Sequence, residues 1–411
     1  MKRNRSPRLA LTLWLVIDAL VFCSRGQAVE PKVDDDGTVH VPAYTLPESP
    51  LLGTAARTAL KNERRREKEE ASAAKACPSA AGADAAQMPA IRKCEVEIYY
   101  KSSDYKRLYE RYRVVMTPQR IGGVYTEIFE PAAGIAAENA KRVLINVHGG
   151  GFQGGARTES HMESVPIAAV GRIRIVSIDY RQAPEYRFPS ASEDVAAVYR
   201  QLLKRYKPGN IGIYGCSAGG LLTAEAVAWF EKKGLPLPGA VGMFCEGGLY
   251  WTEGDSGYTG EAFGWGSSGD PMDRNPYFKG VDPNNPLAFP ARSAQVMARF
   301  PPSLLISGTR DVALSSVVYT HSVLVAQGVD ASLHIWEGVG HAFFLDPDLP
   351  QSREVYSVVW KFFDTHLGLI APQGEAAGSS RRQITGSTRP TRKTHAATPL
   401  SATATVTTNA Q

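Results

Sequence analysis

Four groups of residues could carry chemistry together. The first is Gly215-Cys216-Ser217-Ala218-Gly219, a G-x-S-x-G pentapeptide entered by the apolar run 211–216 and followed by a helix-forming run over 221–233. In a strand–turn–helix setting this pattern makes a nucleophile elbow, a tight and strained turn that lifts a serine hydroxyl above the sheet edge. The turn demands small residues two before and two after the serine, and Gly215 and Gly219 meet that demand. Alone, the pattern fits a glycine-rich helix start equally well; its partners decide.

The second group is His148-Gly149-Gly150-Gly151-Phe152, directly after the apolar run 142–147. Three glycines let the backbone come close to a ligand and leave N–H groups free for a developing oxyanion, as acyl transfer requires. Gly150 and Gly151, with the N–H of Ala218, are the candidate donors. His148 is expected to support the glycine turn rather than act as a base. The third and fourth are Asp311, after the run 302–307, and His341, a loop histidine after 332–336. The chain order Ser, Asp, His is that of α/β-hydrolases, and a carboxylate that orients a histidine base is the logic of nucleophilic catalysis. His321, His334 and His366 fall in expected helices or strands, and His40 and His395 near the ends; His161 is given no role.

The elements that would position these residues alternate. Buried-strand patterns lie at 142–147, 173–179, 211–216, 240–245, 302–307 and 332–336. Helical patterns lie at 191–206 (with Ser190 as its expected cap), 221–233, 315–327 and 354–366. Such alternation predicts a parallel sheet with helices on both faces. Two β-rich runs, 108–116 and 123–129, read as an antiparallel entry. Residues 54–76 read as a charged helix with a solvated face, and 77–89 as a small-residue linker. The stretch 246–299 breaks the alternation. It is rich in Gly, Asp and rings (Tyr250, Trp251, Tyr258, Phe263, Trp265), and loops this long are usually functional or disordered. The aromatics suit a pocket lip or plain core packing equally.

The ends differ from the body. Lys2, Arg3, Arg5 and Arg8 precede an apolar run over 9–22, and small residues end at Ala28, the pattern of an export signal over 1–28. An uncleaved anchor is the alternative, although Asp18 interrupts the run. Residues 371–411 lack the apolar content to fold and read as a disordered tail. Of the net charge of +5, four units lie in 1–28 and four in 372–411, so the stretch between carries −3. A nucleic-acid footprint is unsupported. After export Cys77 and Cys94 could pair; Cys216 and Cys245 read as buried thiols. The expected organisation is therefore signal 1–28, N-terminal extension and cap helix 29–93, main domain 94–370 and tail 371–411.

The motifs HGGGF (148–152) and GCSAGG (215–220), the segment Tyr180-Arg181-Gln182-Ala183-Pro184-Glu185 continuing through Phe188-Pro189 to Glu193-Asp194, and the Asp311…His341 pair together resemble the hormone-sensitive-lipase-like (bacterial family IV) carboxylesterases. The resemblance runs in order from 142 to 367. It implies an α/β-hydrolase fold, with a mostly parallel central sheet, helices on both faces and a cap built from the N-terminal segment and the insert. It implies a serine hydrolase of carboxylic esters or lactones, with Ser217, Asp311 and His341 as triad and Gly150, Gly151 and Ala218 as oxyanion hole. Arg181, Glu185 and Asp194 would brace the site. No metal or organic cofactor is called for, and the expected partner is a small ester, with no nucleic acid and no stable membrane span once the signal is removed.

Two departures stand out. The residue before the nucleophile is usually Asp in that family and is Cys216 here, and Asp311 is followed by Val312-Ala313-Leu314-Ser315 where D-P-L-x-D is common. A ligand-binding protein without turnover, or a peptidase or amidase on the same fold, are the alternative readings; a complete triad weighs against the first.

Overall fold

A computed structural model describes residues 31–74, 77–80, 82–263 and 272–368. The expected signal 1–28 and tail 371–411, and with them Cys23, His395 and Trp265, lie outside the described residues. Among the described residues no helix is long and apolar enough to cross a membrane.

An eight-stranded sheet organises the molecule. A small hairpin, β1 (Lys32–Val33) and β2 (Val39–His40), precedes it and contains His40. The sheet comprises β3 (Val114–Ile121), β4 (Val124–Pro131), β5 (Val143–Asn146), β6 (Ile175–Ile178), β7 (Ile211–Cys216), β8 (Ala240–Phe244), β9 (Ser303–Arg310) and β10 (Ala331–Gly340). Its spatial order is 3-4-6-5-7-8-9-10. The β3–β4 and β4–β6 pairs are antiparallel, and the remaining pairs are parallel.

The helices are α1 (Thr54–Ala74), α2 (Met88–Lys101), α3 (Ser103–Tyr112), α4 (Glu159–Gly171), α5 (Ser190–Leu202), α6 (Ala218–Lys232), two short ones within the insert, α7 (Asp255–Thr259) and α8 (Ala294–Met297), then α9 (Leu314–Ala326) and α10 (Pro350–His366). Strands buried on both faces must be apolar on both, and β5 and β7 show it. Val143, Ile145, Ile211 and Ile213 face one core with α5, α6 and α9. Leu144, Tyr214 and Cys216 face the other with α4 and α10.

Three expectations need correction. The run 108–116 is not one strand: α3 extends to Tyr112, Arg113 ends it in a left-handed conformation (φ 47°), and the strand starts at Val114. Tyrosine and valine suit a strand, but the helix bound at its start by Ser102, which accepts the Tyr105 N–H, wins locally. Ser190 is the first residue of α5, and Pro189 occupies the cap position without a side-chain hydrogen bond. Helix α1 is not simply solvated. Ala56 and Ala59 are buried, and Arg66 reaches Asp346 at 2.6 Å.

The N-terminal segment is fastened to the body. Helix α2 runs unbroken across the expected boundary at 93/94, and Cys77 and Cys94 form a disulfide. Arg107 contacts Asp348 at 3.2 Å, and Arg111 also pairs with Asp348. Both N-terminal anchor points thus hold the segment 346–348, which follows His341 closely.

Candidate active site

The elbow forms because two glycines allow it. A Cβ on Gly215 would lie 2.0 Å from the Val147 carbonyl, and one on Gly219 1.9 Å from the same oxygen. Strand β5 therefore passes against the turn, and only hydrogen fits at either position. Ser217 itself sits at φ 56°, ψ −127°, a strained backbone that persists where the surroundings fix it. Ala218 opens α6, so its N–H has no acceptor within the helix.

The three residues expected from Ser-Asp-His order meet. His341 Nε2 is 2.8 Å from Ser217 Oγ, and His341 Nδ1 is 2.7 Å from Asp311 Oδ1. Asp311 is held on every side: Oδ1 accepts the Ala313 N–H at 2.9 Å, and Oδ2 accepts the Ser307 hydroxyl at 2.7 Å. With Nδ1–H donated to Asp311, Nε2 is left to accept from the serine hydroxyl. Burial lowers the His341 pKa, but the charge and hydrogen bond of Asp311 outweigh it and leave the pKa raised. Cys245 Sγ accepts the Ala342 N–H at 3.2 Å, and one ligand atom each of Cys245, Asp311 and His341 lie within 4.8 Å of one another. His341 Nδ1 is already committed to Asp311, and Cys245 Sγ to the Ala342 N–H.

Gly150, Gly151 and Ala218 line one cavity with Ser217 and His341. Its volume is about 580 Å³, and Met162, Leu221, Tyr250, Trp251, Phe278 and Leu345 supply apolar wall. Glycine is required at 150, where φ is +97° and a Cβ would meet the Gly154 carbonyl at 2.4 Å.

The family model for the α/β-hydrolase fold matches residues 144–345. An acetyl-hydrolase of Streptomyces hygroscopicus is 29% identical over 232 residues, which are 55% of this chain and 77% of that protein. An esterase of the bacterial hormone-sensitive lipase family superposes with a TM-score of 0.63 at 25% identity, covering 77% of this chain and 99% of that one. Esterase E25 superposes with a TM-score of 0.59 at 28% identity, covering 67% of this chain and 86% of that one. The chain has the α/β-hydrolase fold and is similar to esterases of the bacterial hormone-sensitive lipase family.

The remaining expected site residues of this hydrolase lie behind the cavity. His148 is 1% exposed, stacks on Tyr180 with ring centres 4.4 Å apart, and donates from Nδ1 to the Gly149 carbonyl at 2.8 Å. Burial lowers its pKa, and its contact with the glycine turn is through that bond to Gly149. Arg181 binds Asp194 at 3.0 Å, and the Arg181 N–H donates to the same carboxylate at 2.8 Å. Neither residue bonds to Ser217, Asp311 or His341; they hold the segment 180–189, whose Ala183 N–H donates to the Phe152 carbonyl at 2.8 Å. Glu185 belongs with them, gripped by Arg92.

Sequence reasoning missed three carboxyl groups and one cation. Glu159 lines the cavity, and burial raises its pKa against the opposing pull of His341. Glu246 also lines it, and burial pushes its pKa well above the usual carboxylate range. Glu163 lies beneath the glycine turn. Arg92 donates to the Gln153 carbonyl and to Glu185, both at 2.6 Å, reaching from α2 to the far end of the glycine turn. None of the four sits in a local motif. His161 is fully buried. It is 2.6 Å from Tyr109 Oη and 3.3 Å from Glu127, amid tyrosines of α2 and α3. Tyr250 and Trp251 line the cavity, whereas Tyr258 is 66% exposed.

Proposed function

We propose that this α/β-hydrolase is an exported serine carboxylesterase that cleaves small to medium esters through an acyl-enzyme on Ser217. The observation that carries the reading is the continuous hydrogen-bonded line Ser217–His341–Asp311 opening on an apolar cavity. Relatives called esterases and an acetyl-hydrolase support an ester as substrate.

The steps follow from the atoms. Ser217 Oγ attacks the ester carbonyl while His341 Nε2 takes its proton. Asp311 keeps the ring in the required tautomer and stabilises the imidazolium. The N–H groups of Gly150, Gly151 and Ala218 receive the oxyanion, each such donor being worth roughly 3–4 kcal/mol in known cases. His341 returns the proton to the leaving alcohol, and water then cleaves the acyl-enzyme by the same route. The Cys77–Cys94 disulfide supports export, because such bonds persist in oxidising compartments.

The test is hydrolysis of p-nitrophenyl esters of increasing acyl length by the wild type beside Ser217→Ala. Turnover that disappears in the variant supports the reading, and the length optimum sizes the cavity. A folded wild type that turns over none of them sinks it. Export is tested separately, by locating the chain with and without residues 1–28.

A further inference from the structure

Glu163 stands on α4 one turn after Glu159, but its side chain is directed away from the cavity and is 1% exposed. One carboxylate oxygen accepts the Gly149 N–H at 2.8 Å. The other accepts the Asn146 side-chain amide at 2.7 Å and the Cys216 N–H at 3.2 Å. The three donors come from the end of β5, from the first glycine of the turn, and from the residue just before the nucleophile. Burial, with Glu159 adding to it, holds the Glu163 pKa well above the usual carboxylate range, and these three donors pull against that rise.

The ladder explains why such a bridge is needed. Paired residues of β5 and β7 end at Asn146 and Tyr214, and the last bond between the chains runs from the Val147 N–H to the Tyr214 carbonyl at 2.9 Å. Beyond it one chain turns into the glycine run and the other into the elbow. Their spacing is then set by direct backbone packing of the two turns and by Glu163, which bonds to both.

We propose that Glu163 is a positioning residue that fixes the oxyanion donors relative to Ser217 by tying Gly149 to Cys216 through one carboxylate. This rests on the reading of Gly150, Gly151 and Ala218 as the oxyanion hole. All three partners are N–H donors, so both ends of the side chain must accept, which a carboxyl group allows and an amide, with one end a donor, does not. The position before the nucleophile carries a thiol, so the acid beside the elbow comes from α4 instead of from the elbow itself. A shift of the donors by a fraction of an ångström weakens the transition state more than the bound ester, because the oxyanion exists only in the former.

The experiment compares Glu163→Gln with Glu225→Gln. Glu225 is a second buried carboxyl, on α6, bonded to Ser192 at 3.0 Å and outside the cavity lining. For each, kcat and KM on a short p-nitrophenyl ester are measured beside the affinity for a trifluoromethyl ketone, whose adduct with Ser217 carries an oxyanion. Glu163→Gln is expected to lower kcat on the order of 100-fold, to weaken the ketone by a similar factor, and to leave KM near the wild-type value. Glu225→Gln is expected to leave all three in place. Parallel wild-type values of kcat and ketone affinity in folded Glu163→Gln overturn the proposal. So does a fall in kcat without a fall in ketone affinity, or an equal loss in Glu225→Gln. Should Glu163→Gln not fold, Glu163→Asp is read the same way, since its shorter carboxylate keeps the charge but cannot span both strands. Ser217→Ala separates the two readings. Loss of turnover there, with Glu163→Gln at wild-type values, removes this proposal alone; retained turnover there removes the hydrolase site itself.

Discussion

Arg92 grips Glu185 through two contacts of 2.6 and 3.0 Å, joining residues 93 positions apart in the chain. The same guanidinium binds the carbonyls of Gln153 and Ala183. One side chain from the N-terminal segment therefore holds both the far end of the glycine turn and the segment that braces it. Arg is suited to this because its planar fork serves several acceptors at once.

Replacing Arg92 by Ala is expected to lower stability by about 2 kcal/mol, the scale of lost hydrogen bonds to charged groups. It should also lower kcat, because the turn carrying Gly150 and Gly151 loses its outer anchor. Thermal unfolding and steady-state rates check both. The double variant with Glu185→Ala should cost less than the sum of the single changes, as partners in contact do.

The raised pKa of His341 gives the pH profile a direction. The base must be neutral, so the acid limb of kcat/KM should be centred above the ordinary histidine value of about 6.5. Asp311→Asn removes the raising charge, so the limb should move to lower pH while kcat falls on the order of 10,000-fold. Stability follows the opposite sense. The protonated ring is the form Asp311 favours, so its contribution is full below about 6.5 and is lost as pH rises through the native pKa. A limb that stays put in Asp311→Asn would show that another group governs it.

Which parts of this site could be read from the chain depends on how each residue is fixed. Ser217, Asp311 and His341, and the glycine run, each follow a strand end, and steric demands at a strand end leave a local signature. The glycines at 215 and 219 are of this kind. Glu163 and Arg92 act across the fold. Glu163 belongs to a helix whose sequence does not reveal which of its two carboxyls turns inward, and the only hint is the absent charge at Cys216. Arg92 stands in a stretch whose helical character is hidden by the expected boundary at 93/94. The misread run 108–116 fails for another reason: its tyrosines and valines favour strands by propensity, and packing of α3 against α4 overrides that preference.

The two kinds of glycine should separate cleanly. Gly219→Ala places a Cβ 1.9 Å from the Val147 carbonyl. Backbone lies on both sides of the clash, so the expected cost is about 3 kcal/mol or more. Gly151 has φ +62°, but an added methyl there would meet nothing within 4 Å. Gly151→Ala should then cost only the left-handed backbone term, about 1–2 kcal/mol. Denaturation midpoints of the two variants test this, and equal midpoints would contradict the steric account of the elbow.

The thiols should divide in the same clear way. Cys77 and Cys94 are bonded to each other, while Cys216 and Cys245 are free and fully buried. Burial also pushes both free thiols up in pKa, and the thiolate is the reactive form. An alkylating reagent should therefore leave all four unlabelled in the folded protein. Of these four, unfolding without reductant should expose Cys216 and Cys245 alone. Reduction opens a loop between residues 17 positions apart, for which chain entropy predicts a loss of about 3 kcal/mol. Because the bridge ends two residues from Arg92, reduced protein should lose activity at a lower temperature than oxidised protein. Mass spectrometry of the labelled chain reads the first two outcomes. Thermal inactivation with and without reductant reads the third, and identical curves would mean that the bridge does not hold the N-terminal helices to the site.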